Sequence, residues 1–525
     1  MSEPRPALGS LPIFAGRDTT TGSEPPAVTP GLPQESPPAR RRFATRTPGS
    51  ASSSQDSNEP DPAGAHRRRI DWGLVRELRL EVARRRSGQL QDQGALGNQD
   101  DDELGRKIIR ELVQDHVDAQ LATAGVSVSS QDQQALERAV EDSVFGMGRL
   151  QPLVDNPDIE NIEIFGADNV VLEYADGRLT RSEPVAESDA DLVEDLNYLA
   201  ANGSSGNARE FSTASPQLHM RLPGGSRLAA SMSISPRPVV TIRRHRLRRV
   251  SLSDLVGRSM LSPDVAELLR AAVTAQKTIM IAGPQGGGKT TLLRACCAAM
   301  DPWENVGTIE SEYELHLHEL ADQHQRIRAW ESRPGTGEIA ADGRRAGEVT
   351  LDELTESVWR HNLDRLILGE VRGREAAALM KVISGIQGAM WTVHAASARA
   401  AIERMVTLMM EAGPHITVEF ARRQVAAHVD LIVQIGVKVI PGHTGSVTDQ
   451  GNTPGRHRTR RRYVAEVLAV EEGEAGVAAT SELFSVKDES LVAVPIHPLP
   501  PKLLRDLSAA GSYAGPDPIA FRTAS

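Results

Sequence analysis

Residues Gly283 to Thr290 read G-P-Q-G-G-G-K-T, a complete match to G-x-x-x-x-G-K-[ST]. The chemistry of that spacing is phosphate binding. Its glycines let the backbone curl until successive N–H groups face one anion. A helix beginning at the end of the loop adds its positive terminus. In this pattern Lys289 reaches the β- and γ-phosphates, and Thr290 offers its hydroxyl to Mg²⁺. The candidate nucleotide contacts are Gly283, Pro284, Gln285, Gly286, Gly287, Gly288, Lys289, Thr290 and the adjacent Thr291, with ATP and Mg²⁺ as the expected ligands. The flanking residues agree. Lys277 to Ala282 is β-like and Thr291 to Met300 is helix-like, whereas a chance glycine turn carries no such frame.

Three further stretches carry reactive side chains. DRLILGEVRG (364–373) is an apolar strand ending at Glu370, a carboxylate placed to hold or orient a Mg²⁺ shell beside a phosphate loop. TIESEYEL (308–315) gathers Glu310, Glu312 and Glu314 after another apolar run. One of them can polarise an attacking water, although a plain acidic loop satisfies the same letters. TVHAAS (392–397) puts His394 at a strand's carboxyl end, where open α/β sheets bind ligands. A lone histidine is more often structural, so here both readings stand. Two basic runs complete the set, TIRRHRLRR (241–249) and GRHRTRRR (455–462). Neither has the aromatic interleaving of a base-stacking surface. The first is expected to make phosphate or subunit contacts, and the second to form a solvated or membrane-proximal hairpin loop.

These groups need elements to hold them. The 525 residues suffice for two to three domains. A net charge of −11 argues against a general nucleic-acid binder. No apolar run reaches bilayer length, and no secretory leader is evident. The two cysteines, Cys296 and Cys297, are neighbours and are expected to be small buried residues. Residues 1–66 are rich in Pro, Ser, Gly and Ala and are expected to form a disordered tail. Helical periodicity runs through 70–86, 103–122 and 130–146, with a polar linker expected at 88–102. A mixed α/β texture follows. IENIEIFG, NVVLEYADGRL, QLHMRLPGGSRLAASMSI and PVVTIRRH read as strands, with a helix near 188–202 and a turn at Pro223-Gly224-Gly225. Ser262-Pro263-Asp264 is a helix start. Beyond it NVGTIE, DRLILGE and AMWTVHA alternate with helical stretches, the pattern of a parallel sheet covered on both faces. LIVQIGVKVI and RRYVAEVLAVEE read as a hairpin, and a helix is expected at 501–510.

In order, the phosphate loop, TIExxxEL, LILGEVRG and TVHA resemble the secretion-system ATPases of the type II and type IV superfamily. The nearest branch is that of the Tad/Flp pilus-assembly ATPases, whose N-terminal domain is similar to GRLQPLVDNPDIENIEIFG, RLPGGSRLAASM and VVTIRRH. The resemblance covers about 103–440 and implies specific roles. Lys289 and Thr290 match the phosphate-loop pair, Glu314 the catalytic glutamate, Glu370 the acid after the apolar strand, and His394 the family's box histidine. Arg227 and Arg243 match arginines that reach nucleotide phosphates across a domain cleft. Arg360 and Arg372 match arginines flanking the apolar strand. The chain departs from the family pattern at Ser311, where an aspartate is usual, at Gly385-Ile386-Gln387-Gly388, at Asn362, and at Gln285-Gly286.

The fold class so implied is α/β, a RecA-like P-loop NTPase domain preceded by a smaller α/β N-terminal domain and a disordered tail. The expected boundaries are 1–66 tail, 67–148 helical region and linker, 149–247 α/β domain, 248–440 ATPase domain, and 441–525 hairpin and tail. The resemblance further implies a homohexameric motor at the cytoplasmic face of the inner membrane. Its partners would be secretion or pilus platform proteins, with no nucleic acid expected and membrane association peripheral through those partners. Rival readings are a type IV secretion or DNA-transfer ATPase, a nucleotide-binding scaffold with weak catalysis, and a nucleic-acid motor using the basic runs.

Overall fold

The computed structural model describes residues 70–511 and 513, apart from 94–97, 126, 203–210, 223, 245–248, 340–342 and 442–457. The expected tail at 1–66 therefore lies outside the described residues. The first elements are three helices, α1 (Trp72–Gln93), α2 (Asn98–Ala124) and α3 (Ser130–Phe145). They bury one core of Val75, Val82, Ile109, Val113 and Val140. The Ser129 hydroxyl caps α3 by accepting the Asp132 N–H at 3.1 Å.

The linker expected at 88–102 is mostly helix, since α1 runs to Gln93 and α2 starts at Asn98. Gly88 is accommodated within α1, and Gly94 and Gly97 lie at 94–97, outside the described residues. Arg86 grips Asp101 through two bonds of 2.7 and 2.5 Å, which fastens the end of α1 to the start of α2.

After the short α4 (Gln151–Asp155), six strands form an antiparallel sheet. They are β1 (Ile159–Phe165), β2 (Val170–Tyr174), β3 (Leu179–Arg181), β4 (Gln217–Arg221), β5 (Arg227–Ser231) and β6 (Val239–Arg243). Their order is β3-β2-β1-β6-β5-β4. α5 (Asp189–Asn202) lies between β3 and β4 in the chain, and its Leu192 and Leu196 share a core with Ile162, Ile164, Leu172 and Ile242. The strands alternate buried and exposed residues, so one face is apolar and one polar. Between β4 and β5 the chain turns through Gly224 and Gly225, both at left-handed φ near +85° and +84°.

α6 (Leu252–Gly257) and α7 (Pro263–Thr274) lead into the second sheet, each started by a serine cap, Ser251 and Ser262. The remaining elements are β7 (Ile279–Gly283), α8 (Lys289–Cys297), β8 (Asn305–Glu310), β9 (Arg326–Glu331), β10 (Arg333–Ile339), β11 (Arg345–Val349) and α9 (Leu351–Ser357). Then come β12 (Arg365–Leu368), α10 (Glu375–Ile383), β13 (Met390–His394), α11 (Ala398–Met410), α12 (Val418–His428) and β14 (Leu431–Pro441). The last are β15 (Arg458–Glu472), β16 (Ala478–Val486), β17 (Ala493–Pro495) and α13 (Pro501–Ala509).

The nine-stranded sheet has the order β17-β16-β15-β14-β7-β13-β12-β8-β9. From β14 to β9 every pairing is parallel, and β15, β16 and β17 extend the sheet antiparallel. β7 explains why its sequence is an unbroken apolar run. Ile279 and Ile281 enter the core under α7 and α8, and Met280 and Ala282 enter the opposite core with α10 and α11. A strand covered on both faces has no polar side to show. Cys296 and Cys297 are fully buried, and burial pushes both thiols well above their ordinary range.

β14 and β15 form the expected hairpin, but the second basic run is not wholly a loop. Thr459 to Arg462 are ladder residues of β15, paired with Val437 to Ile440. The ladder continues past the apolar part of the strand because alternate positions there still find partners on another element.

Candidate functional site

The phosphate loop joins β7 to α8. Gly286 and Gly288 hold φ of +69° and +92°, left-handed conformations that glycine alone adopts without strain. Lys289 follows as the first residue of α8 and is buried. Its Nζ donates to the carbonyls of Pro284 at 3.1 Å and Gly283 at 3.3 Å, and lies 3.1 Å from His394 Nδ1. Burial lowers the ammonium pKa to about 8. The carboxylates of Glu370 and Glu314 oppose that shift, and the cations of Arg243 and Arg372 add to it.

Parallel register brings His394 and Glu370 to the loop. β13 pairs with β7 so that His394 lies opposite Gly283. The Nε2 of His394 is 2.9 Å from Glu370 Oε1. A neutral imidazole accepts at Nδ1 from Lys289 and leaves its Nε2 facing the Glu370 carboxylate. Desolvation and then Lys289 hold the His394 pKa below its ordinary value, in keeping with a neutral ring. Glu370 also accepts from Arg372 Nη2 at 2.6 Å, while the Arg372 and Gly373 N–H groups rest on Glu375 Oε1 at 2.6 and 2.9 Å.

The three acids of TIESEYEL separate into three environments. Glu310, at the end of β8, is buried, and its Oε2 accepts the N–H groups of Glu314 and Leu315 at 2.8 and 2.9 Å. Burial raises its pKa to about 7, against those two hydrogen bonds. Glu314 Oε2 accepts the Thr290 hydroxyl at 2.9 Å, and its Oε1 meets Arg227 Nη1. Glu312 pairs with Arg227 Nε at 2.6 Å. Ser311 stands beside them where the family pattern has an aspartate, and its carbonyl accepts the Ser332 hydroxyl at 3.3 Å.

Arg227 comes from the N-terminal sheet, and Arg243 is its directly opposed neighbour across β5 and β6. Like charges at opposed positions destabilise a sheet. Glu312 and Glu314 compensate Arg227. Arg243 faces the same cleft, where an anionic ligand would compensate it.

The cleft has a volume of about 600 Å³. Residues Gln285 to Thr291, Glu314, Glu370, Arg372 and His394 form one wall, and Arg227 and Arg243 another. Arg360 lies elsewhere, exposed in the turn Val358–Arg360. Three contributions were not read from the sequence. Arg294 of α8 reaches the cleft, as do Glu160 of β1 and the β15 residues Arg460, Arg461 and Arg462. Alternation along GRHRTRRR already put Arg460 and Arg462 on one face of a strand. Nothing local said which element they would face.

Among the described residues no group of three or more His, Cys, Asp or Glu is arranged to hold a metal ion. Mg²⁺ at a phosphate loop needs no such cage, because it is held by one or two protein oxygens, substrate phosphates and water. The Thr290 hydroxyl and the Glu370 carboxylate, both on the cleft wall, are the donors that fit it.

The family model described as Type II/IV secretion system protein matches residues 209–491. The type IV secretion system protein PtlH of Bordetella pertussis is 31% identical over 290 residues, covering 50% of this chain and 82% of that protein. The type IV secretion system protein VirB11 of Bartonella quintana is 29% identical over 290 residues, covering 47% and 77% respectively. The X-ray structure of the Legionella pneumophila ATPase DotB aligns with a TM-score of 0.42 at 17% identity, over 62% of this chain and 81% of that one.

Proposed function

Since the chain belongs to the type II/IV secretion system protein family and is an ATPase, we propose that it is a motor that binds ATP in the cleft between its two sheets. The observation that carries this reading is the convergence of Lys289, Glu314, Glu370 and His394 on one phosphate loop, with Arg227 and Arg243 facing them from the other sheet. Lys289 and the loop N–H groups would hold the β- and γ-phosphates. Thr290 and Glu370 would hold Mg²⁺, which neutralises developing phosphate charge when bound. Glu314 would orient water toward the γ-phosphorus and accept its proton. His394, between Lys289 and Glu370, would register whether the γ-phosphate is present. Arg227 and Arg243 would follow the phosphates and so couple turnover to the approach of the N-terminal sheet.

On this reading the protein assembles as a ring, a hexamer in the sense of the resemblance, and drives Tad-type pilus assembly or type II-like secretion through inner-membrane platform proteins. A second reading, a type IV secretion ATPase, is favoured by the similarity to PtlH and VirB11, both type IV secretion system proteins. No helix among the described residues is long and apolar enough to cross a membrane; in the proposed reading, membrane attachment runs through partners.

Lys289→Ala in the purified full chain is expected to abolish ATP hydrolysis. Turnover equal to the parent protein would sink the proposal. Co-purification with pilus platform proteins or with type IV secretion components separates the two readings.

A further inference from the structure

The second basic run is built into the nucleotide cleft as a clasp. Arg460 Nη1 lies 2.8 Å from Glu173 Oε1, and Arg462 Nη2 lies 2.7 Å from Glu160 Oε1. Both acids belong to the N-terminal sheet, Glu160 to β1 and Glu173 to β2. Arg462 has a second task, because its Nε donates to the Gly286 carbonyl of the phosphate loop at 2.9 Å.

One planar guanidinium therefore spans the phosphate loop and the N-terminal sheet. Its fork geometry is rigid, so the two contacts cannot shift independently. The contact on Gly286 also sets the plane of the Gly286–Gly287 peptide. In a trans peptide the N–H points opposite to the carbonyl, and the Gly287 N–H indeed turns back to Pro284 O at 3.2 Å. The turn that presents the loop to phosphates is thus held from outside by Arg462. The Arg462 stem packs there too, since a Cβ on Gly288 would lie 3.6 Å from its Cδ.

We propose that Arg462 is a positioning residue that makes ATP affinity depend on Glu160. When the N-terminal sheet is in place, Glu160 aims the guanidinium and the loop keeps its binding shape. When the sheet withdraws, the loop loses an external restraint. The nucleotide need not touch Arg462 for this to operate. The inference rests on ATP binding in this cleft.

The test uses the full-length protein with Arg462→Lys, Glu160→Gln, the double variant, and Lys289→Ala as reference. KM and kcat for ATP and the thermal midpoint are measured for each. A lysine keeps the charge but cannot make both contacts. The two single variants are each expected to raise KM about tenfold, with kcat within about twofold of the parent and the midpoint unchanged. The double variant is expected to be no worse than either single, since both cut the same link. A parent-like KM in Glu160→Gln beside a raised KM in Arg462→Lys would overturn the proposal, because Arg462 would then act on the nucleotide directly. Additive effects, or a loss of kcat that tracks a lowered midpoint, would overturn it too. A parent protein that neither binds nor hydrolyses ATP would instead refute the cleft reading itself, so the two failures are distinct.

Discussion

The Thr290 hydroxyl donates to Glu314 Oε2 at 2.9 Å, joining the phosphate loop to the loop after β8. The same carboxylate meets Arg227 from the N-terminal sheet, so a proposed metal donor, a proposed base and a proposed cross-cleft arginine form one chain of contacts. Glu314→Gln keeps the shape and both neighbours but cannot take a proton. ATP binding is expected to survive while turnover falls by about 10²- to 10⁴-fold, the range of general-base catalysis. Single-turnover hydrolysis beside nucleotide binding checks this. A variant that still turns over at the parent rate would remove Glu314 from that role.

Lys289 gives a pH prediction. Its pKa is lowered to about 8 from an ordinary 10.5. A polyphosphate beside it favours the ammonium and raises that value again. Between about pH 8 and 10.5, ATP binding should therefore take up a proton, and affinity should fall as pH rises through that window. Below pH 8 the amine is already charged and the uptake should vanish. Calorimetry in two buffers of different ionisation enthalpy at pH 7 and pH 9 checks both halves. Equal apparent enthalpies at pH 9 would mean that Lys289 does not titrate on binding.

The legible and illegible parts of this site differ in physical kind. The phosphate loop is eight successive residues, Gly283 to Thr290, whose conformation follows from glycine freedom and a strand–turn–helix frame. Glu370 and His394 could be read because parallel strands deliver their carboxyl ends to one edge, and the register pairs His394 with Gly283. Arg462 could not. Its place depends on the β14–β15 ladder, which sets it opposite Val437, and on Glu160, 302 residues away. The separation of Glu310, Glu312 and Glu314 was hidden for a similar reason. It depends on burial and on Arg227, 87 residues from Glu314. At 88–102 the Gln, Asp and Gly residues signal a linker by association, whereas 88–93 and 98–102 are helical.

Glu310 ties fold stability to pH. Its pKa is raised to about 7 from an ordinary 4.5, mainly by burial. Between those values the folded protein holds more protons than the unfolded chain, so stability should fall as pH rises from about 4.5 to 7. Glu310→Gln keeps an acceptor for the Glu314 and Leu315 N–H groups and has nothing to ionise. Its thermal midpoint should lose less over that window than the parent's. Glu310→Ala strands both N–H groups, each costing about 1–3 kcal/mol when buried, and should also displace Glu314 and slow hydrolysis. Parallel pH profiles in the parent protein and Glu310→Gln would show that Glu310 is not the group responsible.

Arg365 is fully buried at the start of β12, and its guanidinium is held by internal contacts. Nε and Nη2 reach Glu304 at 2.6 and 3.1 Å, Nη1 donates to Gly388 O at 3.0 Å, and Nη2 donates to Val273 O at 2.9 Å. It thus ties β12 to α7 and to the turn before β13, the strand that carries His394. Arg365→Met removes the cation and leaves Glu304 without its partner, a loss of about 3–5 kcal/mol for a broken buried pair. Gly388→Ala acts from the other side, because its φ is +68° and an added Cβ would stand 2.7 Å from Arg365 Nη1. Arg365→Met should lower the denaturant midpoint strongly and Gly388→Ala by a smaller amount. The double variant should destabilise by less than the sum, since the methionine leaves the crowded atom absent. Additive losses in urea titrations would show that the guanidinium and the turn at Gly388 are independent.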